Sequence, residues 1–462
     1  MLTLVPRYNG PTSITVLVAA FGQTSRPPTL KLDVTSHCVP VTIDEWRVID
    51  GGSEPPIYWC RRVLDGLSPN SAYELRLRQG ADVLAQARFD TPPESLPVGD
   101  GGTGPHRPFT LWLSSCFSAR QAQTGLGPLV QQLFAHPRLR PHLNCLVGDQ
   151  VYLDELSWFI YTALSERRLR SRFNRQYTNT FTHPAFSHVM ASASNLFLAD
   201  DHELWNNYPH SPLGFPLRSQ QFWRRWLQLA YVERCEPLQA PAKLELISVG
   251  RELSICIADL RLERSANALR FTDEASMRAL VAWLESLSCP GVLITQQPVI
   301  SPRGHASDMR LPDYRQYWSD LLPALHRCKQ DLVILAGDVH HGHVAHTLLG
   351  NAAAPRQLIQ VVASPLALIN PVAASTPESA LRYFPSADGV QAARPVAYPL
   401  QVPTYAASRG NVRSEDHAMT VAFWRAPSVN GSHRVGMQVR TWLTRAATTQ
   451  LGPTWQTTLR AG

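Results

Sequence analysis

The chain has 462 residues, which sets a prior of two domains, one of them large. Hydrophobic residues make up 44% and charged residues 17%, figures that exclude a disordered or fibrous chain. The net charge of +7 suits an anionic substrate, yet no cluster of five or more Lys and Arg appears, so a nucleic-acid partner is not expected.

Residues 1–95 read as all-β. "SITVLVAAF", "TLKLDV", "EWRVID" and "IYWCRRV" are β-branched and alternating, and "AYELRLRQGADVLAQARFD" forms two strands around a turn at Gln79-Gly80-Ala81-Asp82. Leu67 and Pro69 precede Tyr73 at a strand start, which resembles the tyrosine corner of fibronectin III and immunoglobulin-like sandwiches. A Gly- and Pro-rich stretch at 96–107 reads as a linker. From 108 to 462 the pattern changes. Apolar strand runs ("FTLWLSS", "LNCLVG", "NLFLA", "GVLITQ", "LVILAG") alternate with helical tracts (127–139, 155–176, 219–235, 272–287), with Thr272 as an N-cap candidate. "LELISVGRELSICIADLR" reads as a hairpin, and the strands beyond 356 as the completion of a second sheet. The aromatics Phe222, Trp223, Trp226 and Tyr231 fall at helical spacing and read as core. The eight Cys include no CxxC pair and are too sparse for a disulfide scaffold. No apolar run reaches about 18 residues, so no membrane span is expected. The first residues lack a secretory pattern, which makes a cytoplasmic protein the expectation.

Chemistry-bearing residues follow the apolar strands. Cys116 comes after "FTLWLSS"; Asp149, Tyr152 and Asp154 after "LNCLVG"; Asp200, Asp201, His202, Glu203, Asn206 and Asn207 after "NLFLA"; Gln297 after "VLITQ"; Asp338, His340, His341 and His343 after "VILAG". The carboxyl ends of strands are where open α/β sheets gather their functional loops. Carboxylate and amide oxygens favour hard divalent ions, while imidazole, thiolate and phenolate favour a more polarising ion such as iron or zinc. The mixed set points to two unlike metals with Asp149 as the natural bridge, an apparatus suited to displacement at phosphorus.

"SSCF" (114–117), "GDQVYLD" (148–154), "ADDHELWNNY" (199–208) and "LAGDVHHG" (335–342), in this order, resemble the motifs of the alkaline phosphatase D (PhoD-like) family of the metallophosphoesterase superfamily. "IADLRLER" (257–264) and "VASPLALI" (362–369) are further echoes. The resemblance implies an α/β fold: a metallophosphoesterase-type sandwich of two β-sheets flanked by helices, behind an N-terminal fibronectin III/immunoglobulin-like sandwich. It implies Fe3+ held by Cys116, Asp149, Tyr152 and His340. A second, harder ion is held by Asp149, Asp201 and Asp338, with Asn207 a weaker candidate on that side. That ion is Ca2+ in the family, with Mg2+, Mn2+ or Zn2+ as substitutes in a cytoplasm poor in calcium. His202 stands near the leaving group. The activity implied is hydrolysis of small phosphate mono- or diesters, a metal-bound hydroxide attacking in line.

Two alternatives stand beside it: a phosphodiesterase or phospholipase-type hydrolase, and a non-catalytic binding protein with a degenerate catalytic domain. Outside the ligand set, His341, His343 and His346 read as solvated histidines. Asp259 and Arg261 read as an ion pair or as support for the site. Asp154 reads either as a contact behind the ligands or as a helix N-cap. Nothing in the sequence sets the oligomeric state or the natural ester.

Overall fold

The computed structural model describes residues 1–35, 40–99, 107–122, 125–154, 165–210, 220–304, 308–350, 355–367, 383–385, 397–399, 416–429, 432–445 and 450–460. Three strands at its centre, Phe109–Ser114, Leu143–Val147 and Ser194–Leu198, are parallel neighbours and buried at every residue. Their alternate side chains serve two cores, which is why they read as unbroken apolar runs. Leu111, Leu113, Val147 and Leu198 face a second sheet through Ile255, Ile294, Val333 and Val361. Trp112, Leu146 and Phe197 pack the other way, toward the side of the helices Leu126–Ala135, Glu166–Phe181 and Pro184–Ala191.

The second sheet has six strands in the order Leu244–Val249, Leu253–Ala258, Gly291–Ile294, Leu332–Ala336, Arg356–Val362, His343–Leu349. Its four middle strands are parallel and its two edge strands antiparallel. The outer face packs Cys256, Leu293 and Ile334 with Leu280 and Leu284 of the helix Glu274–Ser286. That helix is capped by Asp273, whose carboxylate accepts from the N–H groups of Ala275 and Ser276. The expected cap at Thr272 is one residue early, because an aspartate reaches the open amides better than the buried threonine before it.

The expected α/β sandwich of two sheets flanked by helices is observed, and the N-terminal strands are all-β. Val41–Ile43, Leu30–Val34, Ala72–Gln79 and Asp82–Asp90 form one sheet. It packs on Leu2–Gly10, Ser13–Ala20 and Ile57–Asp65 through Leu4, Val16, Val18, Leu32, Leu75 and Phe89. Gly80 takes φ +61° in the hairpin turn, and the Tyr73 hydroxyl accepts the Ser68 N–H at 2.8 Å. The N-terminal strands do not stand apart. Leu2–Gly10 pairs in parallel with Ser194–Leu198, so they extend the first sheet of the α/β region into one ten-stranded sheet. The buried Asn195 amide secures the seam by donating to Pro6 O at 2.7 Å.

The tail departs from expectation. Arg356–Val362 joins the second sheet, but His417–Val429, Ser432–Leu443 and Gln450–Arg460 join the first, stacked beyond Phe109–Ser114. Alternation in a strand reports which face is buried and carries no record of which sheet it will enter. The tract 219–235 is helical from Gln220 and passes into a π-helix over Gln228–Cys235; Trp226 is buried there, with Phe222, Trp223 and Tyr231 packed partly against the core. The helix after Asp154 is described from Glu166; residues 155–164, like 100–106 of the expected linker, lie outside the described residues. None of the described helices is long and apolar enough to cross a membrane.

Candidate metal centre

Each central strand ends, and one or two residues later the chain turns into a loop bearing a polar side chain. Five of the eight described non-glycine residues with positive φ are candidate ligands: Cys116 (56°), Asp149 (57°), Asn207 (62°), Asp338 (70°) and His340 (53°). Left-handed backbone costs a non-glycine residue on the order of 1–3 kcal/mol and persists where surroundings enforce it, most often at functional sites. Here it brings together loops of both sheets, with the Cys116, Asp149, Asp338 and His340 side chains in the close groups below and Asn207 contributing its N–H to Asp201. The turn into Asp149 needs Gly148 at φ +105°, where a Cβ would lie 2.5 Å from Asp200 Cβ.

Three groups of ligand atoms each fall within 4.8 Å of one another: Cys116, Asp149 and His340; Asp149, Asp201 and His202; and Asp149, Asp200, Asp201 and Asp338. Asp149 belongs to all three. Cys116 Sγ lies 3.5 Å from Asp149 Oδ2 and receives the Ser364 hydroxyl at 3.1 Å. Asp149 Oδ1 accepts the His202 N–H at 3.2 Å. The Tyr152 ring packs against that of His202 at a 32° tilt, with centroids 4.1 Å apart. Asp338 Oδ2 accepts from Gln297 Nε2 at 2.9 Å, and the Asn207 N–H donates to Asp201 Oδ2.

Burial holds the Asp149 carboxyl well above the usual range, aided by Asp201, Glu203 and Asp338 and opposed by His202. Burial does the same to the Cys116 thiol, with Asp149 and Asp338 adding to it, and to the Tyr152 phenol, with Cys116 and Asp149 adding to it. For Asp201 burial is outweighed, chiefly by Arg261 and then His202, and its carboxyl sits below the usual range. His202 is raised well above the ordinary imidazole value, since Asp154, Asp149 and Asp201 together overcome its burial. His340 is lowered, mainly by burial.

The residues present fit bound cations. Four buried or half-buried carboxylates share a few ångströms with one arginine, Arg261, in direct ion pairing. Asp201 Oδ1 and the Tyr152 hydroxyl are sealed from water with no hydrogen-bond partner. Buried polar atoms without partners are rare, and a missing ion is one of the few explanations. The donor set is mixed: one group joins Asp149 to a sulfur and an imidazole, one to Asp201 and the His202 imidazole, and one holds carboxylates alone.

No family model matches the chain, and no curated protein is significantly similar to it in sequence. Solved structures do match. A "Structure of PhoD" superposes with a TM-score of 0.62 at 14% identity, covering 99% of this chain and 91% of that one. The purple acid phosphatase PPD1 from yellow lupin (Lupinus luteus) seeds matches with a TM-score of 0.53 at 11% identity, covering 98% of this chain and 73% of that one. The fold is that of PhoD. The expected architecture is thereby borne out along nearly the whole chain.

The structure gives several side chains around the cluster partners that the sequence does not show. Glu203 is buried, and its carboxylate accepts the N–H groups of Asp149, Gln150, Val151 and Asp200 at 2.6–3.1 Å, which holds both loops in place. Arg261 pairs with Asp200 and Asp201 at 3.0 and 2.8 Å, whereas Asp259 accepts from the backbone of Arg261 and Leu262 and from Gln296. Asp154 contacts His202 Nδ1 at 2.6 Å and accepts the Asn206 N–H. His341 and His343 are buried, not solvated, because the loop after Asp338 turns straight into the edge strand His343–Leu349.

Proposed function

We propose that the chain is a metal-dependent phosphoric-ester hydrolase of the alkaline phosphatase D kind, acting on small mono- or diesters. The observation that carries this reading is the sharing of Asp149 by all three ligand groups, the arrangement a bridging carboxylate requires. Cys116, Asp149, Tyr152 and His340 would hold Fe3+. Asp149, Asp201 and Asp338, with Asn207 beside them, would hold Ca2+ or another hard divalent ion. Two such cations supply charge to neutralise phosphoryl oxygens and to acidify a water that attacks phosphorus in line.

The protein's own part is positioning and proton transfer. Asp154 on Nδ1 of His202 fixes the ring and favours its charged form, which leaves a proton at Nε2 for a departing ester oxygen. Ser364 and Ser115 lie against the Cys116 sulfur, and Gln297 orients Asp338.

Elemental analysis, a visible spectrum and hydrolysis of an aryl phosphate test the proposal together. Iron bound to thiolate or phenolate should colour the protein, and Asp149→Ala should lower turnover at least a thousandfold with loss of metal. A folded, colourless, metal-free protein that stays inactive when iron and divalent ions are supplied would sink it.

A further inference from the structure

Four carboxylates crowd the oxygen side of the cluster, yet a fixed positive charge already lies among them. Arg261 is 2% exposed, and its guanidinium contacts Asp200 Oδ1 through Nε at 3.0 Å and Asp201 Oδ2 through Nη2 at 2.8 Å. The same Asp201 Oδ2 accepts the Asn207 N–H, so that oxygen is engaged twice, while Asp201 Oδ1 is buried with no hydrogen-bond partner. Asp200 has its Cβ against Gly148, and Arg261 is the cation in contact with its carboxylate.

We propose that Arg261 is a built-in counter-ion that commits Asp200 and one oxygen of Asp201 to itself, so that three carboxylates, Asp149, Asp201 through Oδ1 and Asp338, face the harder cation. The inference rests on the metal-dependent reading above and goes beyond it by dividing the acidic residues into ligands and non-ligands. Arg261 is a positioning residue that acts through Asp201. A guanidinium never gives up its charge. A divalent ion seated on the oxygens Arg261 already holds would sit within a few ångströms of that charge in a poorly screened interior. The arginine therefore selects which oxygen of Asp201 is presented, and it weakens the site relative to one with four free carboxylates. Outer partners of metal ligands commonly tune affinity by about 10–100-fold.

Mn2+ titration of iron-retaining protein stripped of divalent ions, read by electron paramagnetic resonance, tests this. Asp200→Asn should keep Mn2+ affinity within about threefold of the wild type, because Asp200 is not a ligand. Arg261→Met should tighten Mn2+ binding by about tenfold or more, because repulsion is removed and Asp200 is released to the ion. A double Asp200→Asn, Arg261→Met variant should lose most of that released-ligand gain. A tenfold weakening in Asp200→Asn, or unchanged or weaker binding in Arg261→Met, overturns the proposal; a purely structural ion pair would lower stability and leave affinity where it was. Should Arg261→Met fail to fold, Arg261→Gln in the same titration takes its place, with tighter Mn2+ binding expected and unchanged or weaker binding overturning the proposal. Wild type that takes up no Mn2+ overturns the metal-dependent reading as well, whereas normal wild-type binding with the wrong variant response overturns only the role of Arg261.

Discussion

Replacing Glu203 by glutamine changes one atom's worth of shape and should be among the most damaging substitutions in the chain. Its Oε1 accepts Gln150 N at 2.6 Å and Val151 N at 3.1 Å, and its Oε2 accepts Asp149 N at 2.9 Å and Asp200 N at 3.0 Å. A glutamine has one acceptor oxygen. Whichever way its amide turns, two buried N–H groups meet an NH2 group. Each orphaned donor costs about 1–3 kcal/mol, and the two bonds that survive lose their charge assistance. A loss of about 4 kcal/mol or more is expected, a large share of the 5–15 kcal/mol typical of a folded domain. Urea unfolding followed by fluorescence, in chelator so that metal linkage is removed, measures it. A variant within about 1 kcal/mol of wild type would refute the claim that this carboxylate holds the two ligand loops.

Gly148→Ala places a methyl 2.5 Å from Asp200 Cβ on a backbone at φ +105°, so a cost of about 3 kcal/mol in the same unfolding assay is expected. Tyr152→Phe removes a hydroxyl without a hydrogen-bond partner and keeps the ring on His202. Stability should change by less than about 1 kcal/mol, while any phenolate-to-iron absorption band disappears from the visible spectrum. His142 accepts the Thr110 N–H at Nδ1, and burial, with Arg107 nearby, lowers its pKa to about 3. Its folded value lies below the unfolded one, so its contribution is complete above about pH 6.5 and is lost as pH falls toward 3. The loss between pH 7 and pH 5 should be about 2 kcal/mol, and a His142→Gln variant should show a pH dependence of unfolding shallower by that amount.

The candidate loops are legible because their pattern is local: an apolar strand run, then a polar turn, Gly148-Asp149 and Gly337-Asp338 after two strands and Asp200-Asp201 after a third. The side chains of Asp149, Asp201, Asp338 and His340 fall within the close groups described above. Partnerships between distant segments were not legible. Asp259 and Arg261 read as an ion pair or as support for the site; the pairing is not formed, and Arg261 instead supports the site through Asp200 and Asp201. Glu203 has no assigned role in the sequence, since nothing in composition shows that a carboxylate will gather four backbone amides. From sequence alone His341 and His343 read as solvated, since histidine-rich turns usually are; their burial follows from the edge strand that begins at His343. The placement of the last three strands in the first sheet depends on which neighbour has an open edge, a property of the assembled fold.

The seam between Leu2–Gly10 and Ser194–Leu198 has a consequence for how the molecule comes together. During synthesis the strand Leu2–Gly10 is made just before its hairpin mate Ser13–Ala20, with which it pairs. Its other flank stays bare until the strand leading into Asp200 and Asp201 has been made, and parallel pairings between such distant segments close slowly. The acidic loop is therefore seated late, against a strand made long before it.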